Sequence, residues 1–168
     1  MDAIARICAI EEIKVLKARY FRFLDAKQWV DLASVFTADA TAIYPFVGTI
    51  EGSSVEIISQ LELALENVTT VHQGAMPEIE LKSEVAATGI WAMTDLLMWP
   101  PGARRTGPAS DSYSQWSTTM RGYGHYLEEY KFVEERWLIS KLSLTRLHVD
   151  LITHGASIPP VPPSPPQS

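Results

Sequence analysis

The period of the apolar pattern changes once along this chain, and that change limits what it can fold into. Before about residue 68 apolar side chains recur mostly at helical spacing; from Thr69 to Leu151 the pattern is strand-like except over 100–116. Ile4, Ile7, Ile10/Ile13, Leu16, Tyr20 and Phe23/Leu24 predict a long first helix over about 4–25, with Glu11, Glu12, Lys14 and Lys17 on the opposite arc. "AKQWVDLASVFTADA" predicts a shorter second helix carrying Trp29, Leu32, Val35 and Phe36. "ATAIYPFVGTIEG" is β-branched and aromatic, which predicts a strand and then a turn at 48–52. "SSVEIISQLELALENV" predicts a third helix, with Ser53 or Ser54 as N-cap and Glu56 in the first turn. Beyond it, "TTVHQGAMPEIELKS" supplies one or two strands and "EVAATGIWAMTDLLMWP" a long one over about 85–98. "STTMRGYGHYLEEYKFV" and "RWLISKLSLTRLHVDL" follow, joined by a tight turn at Glu134–Glu135. Three helices with one early strand, then an antiparallel meander, predict an α+β fold in which the helices cover one face of a curved sheet.

The 168 residues suffice for one domain with a real core, and their net charge of -6 argues against nucleic acid or an anionic membrane as the main partner. No apolar run approaches the roughly 18 residues of a membrane-spanning helix, and the first residues carry acids rather than a signal pattern. A cytoplasmic protein is therefore the expectation. The single cysteine, Cys8, forms no disulfide framework and no zinc-ligand spacing, and is expected to pack as a small apolar residue. Two segments stand apart in composition. "PPGARRTGPASDSYSQW", 100–116, is rich in Pro, Gly and Ser and reads as a loop, a candidate lid or interface. "ASIPPVPPSPPQS", 156–168, reads as a polyproline-type tail. The expected organisation is a domain over 1–150 and a tail over 151–168.

Several polar residues sit in apolar company. On the long strand, Trp91, Met93, Asp95 and Leu97 share one face and Ile90, Ala92, Thr94, Leu96 and Met98 the other. Both faces read as apolar, so the strand is expected to be covered on both sides. Asp95 then needs an ion or hydrogen-bond partner, unless it is solvated near the strand end. His72, in "TTVHQG", is either a satisfied core or rim histidine or a base held by a carboxylate, for which Asp25 is the candidate. His125 follows Gly122 and Gly124 and shares its face with Tyr123 and Leu127; it lines the same cavity, or packs at a dimer contact or on a solvated face. Tyr20 and Asp25 are about 140° apart around the helix, so they share a cavity only if Asp25 lies where the helix ends. Tyr20 alternatively bonds a carbonyl in the core. No Gly-rich phosphate loop, H-E-x-x-H or G-x-S-x-G is present.

The ordered set "IEEIKVLKARYFRFLDAKQWVDLASVFTADA", "VHQGAMPEIEL", "GIWAMTDLLMW", "GYGHYLEEYKF" and "WLISKLSLTRL" resembles a SnoaL-like domain of the nuclear-transport-factor-two-like superfamily over about 4–150. The pattern is most similar to the bile-acid 7α-dehydratase type, and its Asp25 and His72 pairing is similar to the lindane dehydrochlorinase type. Scytalone dehydratase is a more distant relative. The resemblance implies a cone-shaped sheet with helices on its concave side and catalytic roles for Tyr20, Asp25, His72 and Asp95. It also implies elimination chemistry with no metal and no organic cofactor. The expected ligand is a hydrophobic, oxygenated small molecule, polycyclic or terpenoid-like, with His125, Trp91, Met93 and Tyr126 lining its pocket. A homo-oligomer, dimer or trimer, is expected. The same proton abstraction could serve an isomerase or cyclase, and a pocket without chemistry would make a binding domain. The 100–116 segment and the proline tail depart from the family pattern.

Overall fold

A computed structural model describes residues 1–45, 48–50, 53–100 and 117–153. Three helices, α1 (Ala3–Asp25), α2 (Trp29–Ala33) and α3 (Ser54–Leu65), are joined to six strands: β1 (Phe36–Tyr44), β2 (Gly48–Ile50), β3 (Thr69–Leu81), β4 (Ala86–Met98), β5 (Ser117–Val133) and β6 (Arg136–Thr153). The segment 101–116 and the tail from 154 onward, with His154, lie outside the described residues.

Local chemistry accounts for the element ends. The Asp2 carboxylate accepts the Ala5 N–H and starts α1. Ser53 and Glu56 form a reciprocal capping box on α3. α1 stops in a Schellman closure, with Gln28 N–H bonded to Phe23 C=O at 2.9 Å and Lys27 N–H to Leu24 C=O at 3.2 Å. Lys27 takes the left-handed conformation this closure requires, φ 58°. Glu134 and Glu135, at φ 49° and 60°, make the two-residue turn between β5 and β6.

The strand order is β2-β1-β6-β5-β4-β3. The β3–β4–β5–β6 meander is antiparallel, but β1 runs parallel to β6, so the sheet is mixed where the sequence pattern implied antiparallel pairing throughout. Periodicity identifies strands but carries no information on which one becomes the neighbour of the last. Register shifts at Ala75/Glu78, Tyr123/Gly124 and Glu129/Tyr130 interrupt the long ladders, the irregularities that let long strands bend.

Ile13, Leu16, Tyr20 and Leu24 of α1 pack into a core with Ile57 and Leu61 of α3 and the inward residues of the sheet. Five local expectations are corrected. Ile4 and Ile7 are exposed, so the buried stripe starts only at Ala9. Cys8 is exposed. α2 ends at Ala33, and Phe36 belongs to β1 instead. Lys17 is fully buried rather than on the solvent arc. On β4, Trp91, Met93, Asp95 and Leu97 are buried while Ile90 is 40% exposed, so within this chain only one face is fully covered.

Candidate functional site

The Schellman closure leaves Asp25 on the last residue of α1, directly against β3. A carboxylate there opposes the helix dipole, and it is compensated from the sheet. Asp25 Oδ2 accepts the His72 backbone N–H at 2.8 Å, and Oδ1 accepts the Thr70 hydroxyl at 2.9 Å. His72 Nδ1 lies 2.6 Å from the same Oδ1. Thr70 and His72 are two residues apart on one strand, so both side chains point to the helix while Val71 between them faces outward. Burial opposes ionisation of Asp25, but the ring and backbone hydrogen bonds of His72, its charge and the Thr70 hydroxyl together hold the carboxyl below its ordinary range.

The Asp25 contact determines the imidazole's chemistry. With Nδ1–H donated to the carboxylate, the neutral ring carries its lone pair on Nε2. No described residue bonds that nitrogen. Phe21 stacks on the ring at 6.3 Å between centroids and an interplanar angle of 8°. Gly74 makes this possible, because a Cβ there would come within 2.8 Å of the Phe21 ring.

Asp95 sits opposite His72 in the β3–β4 register. It is paired in the fork geometry with Arg146: Nη1–Oδ1 2.8 Å and Nη2–Oδ2 2.6 Å, both side chains largely buried. Gly122 makes room for this pair; a Cβ there would lie 2.0 Å from Arg146 Nη1 and 2.3 Å from Asp95 Oδ1. Arg146 escaped the sequence reading, although it continues the inward parity of Leu142 and Leu144.

Tyr20 is fully buried and its hydroxyl lies 3.2 Å from that of Tyr44, not on the dyad. Burial pushes its ionisation well upward, so it is a hydroxyl donor, not a phenolate. Tyr126 packs edge-on against Tyr20. Trp91 donates its indole N–H to the Tyr130 hydroxyl at 2.8 Å, and Met93 Sδ accepts from Arg146 Nη1 at 3.7 Å. His125 is a correction: Tyr126 and Glu128 point inward, so strand alternation sends His125 to the outer face, where it cannot line a cavity shared with His72.

A second polar cluster was absent from the sequence reading. Lys17 Nζ is 2.5 Å from Glu128 Oε1, both side chains sealed from solvent. Tyr130 donates to Glu128 in turn. The Lys17 ammonium lies over the rings of Tyr126, Tyr20 and Phe21 at 3.5, 4.2 and 4.6 Å. Burial draws Lys17 down to about 8, against the pull of Glu128. The signal was its position four residues after Ile13 and three before Tyr20, on the core stripe.

Among the described residues no three His, Cys, Asp or Glu side chains gather as a metal-ligand set, and no helix is long and apolar enough to cross a membrane. A groove of about 480 Å³ between α1 and the β5–β6 turn, floored by Phe23, Val35 and Trp137, includes neither Asp25 nor His72.

Residues 5–143 match the family model of the SnoaL-like domain. The fold is also that of a hexachlorocyclohexane dehydrochlorinase of type 2, at a TM-score of 0.76 and 20% identity, covering 95% of this chain and 99% of that one. A scytalone dehydratase candidate from Novosphingobium aromaticivorans superposes at 0.73 with 16% identity, covering 93% and 99%. A dehydratase candidate of the NTF2-like family from Streptomyces avermitilis superposes at 0.68 with 10% identity, covering 84% and 98%. At these identities the likeness concerns the fold.

Proposed function

Because the chain belongs to the SnoaL-like domain family, we propose that it is a small-molecule enzyme working by acid–base elimination, with His72 as the base and Asp25 as its partner. The observation that carries this reading is the 2.6 Å contact between His72 Nδ1 and Asp25 Oδ1, with Nε2 left unbonded by any described residue. Nε2 takes a proton next to a carbonyl or other activating group of the substrate. Asp25 holds the ring in the required tautomer and stabilises the imidazolium that forms. The Asp95–Arg146 pair stands across the strand from His72. There Asp95 holds the Arg146 guanidinium, which presents positive charge to a departing hydroxyl, and the proton that His72 has taken leaves with that hydroxyl as water. Tyr20, with Tyr44 behind it, supplies a hydroxyl toward a developing oxyanion.

The related folds carry names of a dehydrochlorinase and of dehydratases, all eliminations, which favours dehydration over transfer chemistry. The substrate class is a hydrophobic oxygenated molecule, polycyclic or terpenoid-like, met by the aromatic and thioether surface of Trp91, Met93 and Tyr126. No cofactor enters the scheme. Exposed Val71, Ile90 and Leu127 on the outer sheet face favour a homo-oligomer.

One observation favours a rival. Trp91, Met93 and Tyr126 are 5%, 5% and 1% exposed, as in a closed interior serving only to bind or to pack. Incubation with a panel of polycyclic β-hydroxy ketones separates the two. Elimination reads as growth of conjugated-enone absorbance, and His72→Ala should lose about 10²- to 10⁴-fold in turnover while keeping its fold. Isomerisation would give a product of unchanged mass from the same first step. Binding of a ketone with unchanged products would establish the rival.

A further inference from the structure

The Asp25–His72 contact does not end at its two residues. Lys27 Nζ donates to Thr70 Oγ1 at 2.8 Å and approaches Leu24 C=O at 3.4 Å, while Thr70 Oγ1 donates to Asp25 Oδ1 at 2.9 Å. An ammonium has only donors to offer, so the Thr70 hydroxyl must accept from Lys27, and its own proton is left for Asp25. The direction of the whole chain is thereby fixed: ammonium to hydroxyl to carboxylate, with the imidazole donating from the other side.

The backbone points to the same residues. Lys27 occupies the left-handed cap of α1, where glycine is the unstrained choice. A lysine with φ 58° there is a cost that the helix end alone does not require, and its side chain turns back on the sheet rather than into solvent. The ammonium is half-buried; burial lowers its proton affinity and the charge of Asp25 restores part of it.

We propose that Lys27, acting through the Thr70 hydroxyl, is a positioning residue that fixes the orientation of the Asp25 carboxylate and keeps it ionised opposite His72. This rests on the dyad reading above. The groups that face this carboxylate are His72 and Thr70 from β3 and Lys27 from the end of α1. Asp95 of β4 and its partner Arg146 of β6 stand beyond His72, and Lys17 lies over the Phe21 ring that stacks on the imidazole. The relay therefore holds one end of a row of charges, with the Asp95–Arg146 pair beyond the other.

The test needs no substrate. In the full chain labelled with ¹³C at the aspartate carboxyls, the Asp25 signal is assigned by its loss in Asp25→Asn and followed from acid to neutral pH. Lys27→Gln and Thr70→Val should each raise its midpoint by about 0.5 to 1 unit. Lys27→Arg and Thr70→Ser, which keep the charge and the hydroxyl, should stay within about 0.2 unit of the wild type. Lys27→Gly relaxes the backbone while removing the ammonium, and should rise as Lys27→Gln does. The proposal is overturned if Lys27→Gln or Thr70→Val leaves the midpoint unmoved, or if Lys27→Arg shifts it as far as Lys27→Gln. Failure of the dyad as a catalyst would be seen separately, as full turnover in His72→Ala.

Discussion

Lys17 and Asp25 lie about 12 Å apart along the same helix, and each carries a charge into the protein, but the surroundings treat them differently. Lys17 meets Glu128, Tyr130 and three aromatic rings, and every group in its cluster is closed off. Asp25 keeps a 24% exposed side chain, and its cluster ends on an imidazole nitrogen that no described residue occupies. A sealed and satisfied polar cluster contributes to specifying the core; one with an unused lone pair is equipped to act on something else. The contrast teaches that burial of a charge alone does not mark a functional site in this fold. The proposed role of His72 rests instead on the lone pair of Nε2, which no described residue uses.

The largest effects are expected in the sealed cluster. Lys17→Met strands Glu128 in the interior and should cost about 3–5 kcal/mol in urea unfolding. Removing both charges, with Lys17→Met and Glu128→Gln together, should recover part of that loss. Equal losses in the single and double variants would show that the pair is not the structural unit described. Gly122→Ala should come next, at about 1–3 kcal/mol, because its methyl group collides with the Arg146–Asp95 fork. A melt indistinguishable from wild type would show that the fork has room to move.

Asp25→Asn should be milder for stability, about 1–2 kcal/mol at neutral pH, because Asn retains one acceptor for the β3 donors. Its pH dependence has a definite sign. The folded-state ionisation of Asp25 lies below its unfolded value of about 3.9. The advantage of Asp over Asn is therefore complete above about pH 5 and declines as pH falls through the folded-state midpoint. Paired urea titrations at neutral and acid pH measure it, and an advantage growing on acidification would reverse the assignment. His125→Ala, on the outer face, should change stability by less than about 0.5 kcal/mol and leave turnover alone.

The order of elements was legible because period 3.6 and period 2 are local properties; the Glu134–Glu135 turn and the start of α3 at Ser53 or Ser54 were visible residue by residue, while the choice of Ser53 as cap needed the structure. The parallel seam between β1 and β6 was not, since strand order is decided by packing over the whole chain. Asp25 and His72 could be named as a candidate pair from sequence, and the resemblance favoured it, but the geometry that joins them, the Schellman closure with its cost placed on Lys27, was not legible there. Lys17 and Arg146 were missed because long cations are assigned to solvent by habit, although stripe position in one case and strand parity in the other placed both inside. His125 shares its face with Tyr123 and Leu127, and the expectation that it lines one pocket together with Tyr126 put residues of opposite parity on the same face.

The central claim is that His72 Nε2 abstracts a proton. Solvent exchange tests it most directly: a polycyclic ketone that binds the protein is held in D₂O, and deuterium entering next to its carbonyl is followed by proton NMR. The account predicts exchange catalysed by the wild type, reduced at least about 100-fold in His72→Ala and strongly in Asp25→Asn. Exchange at the wild-type rate in a folded His72→Ala variant would contradict it.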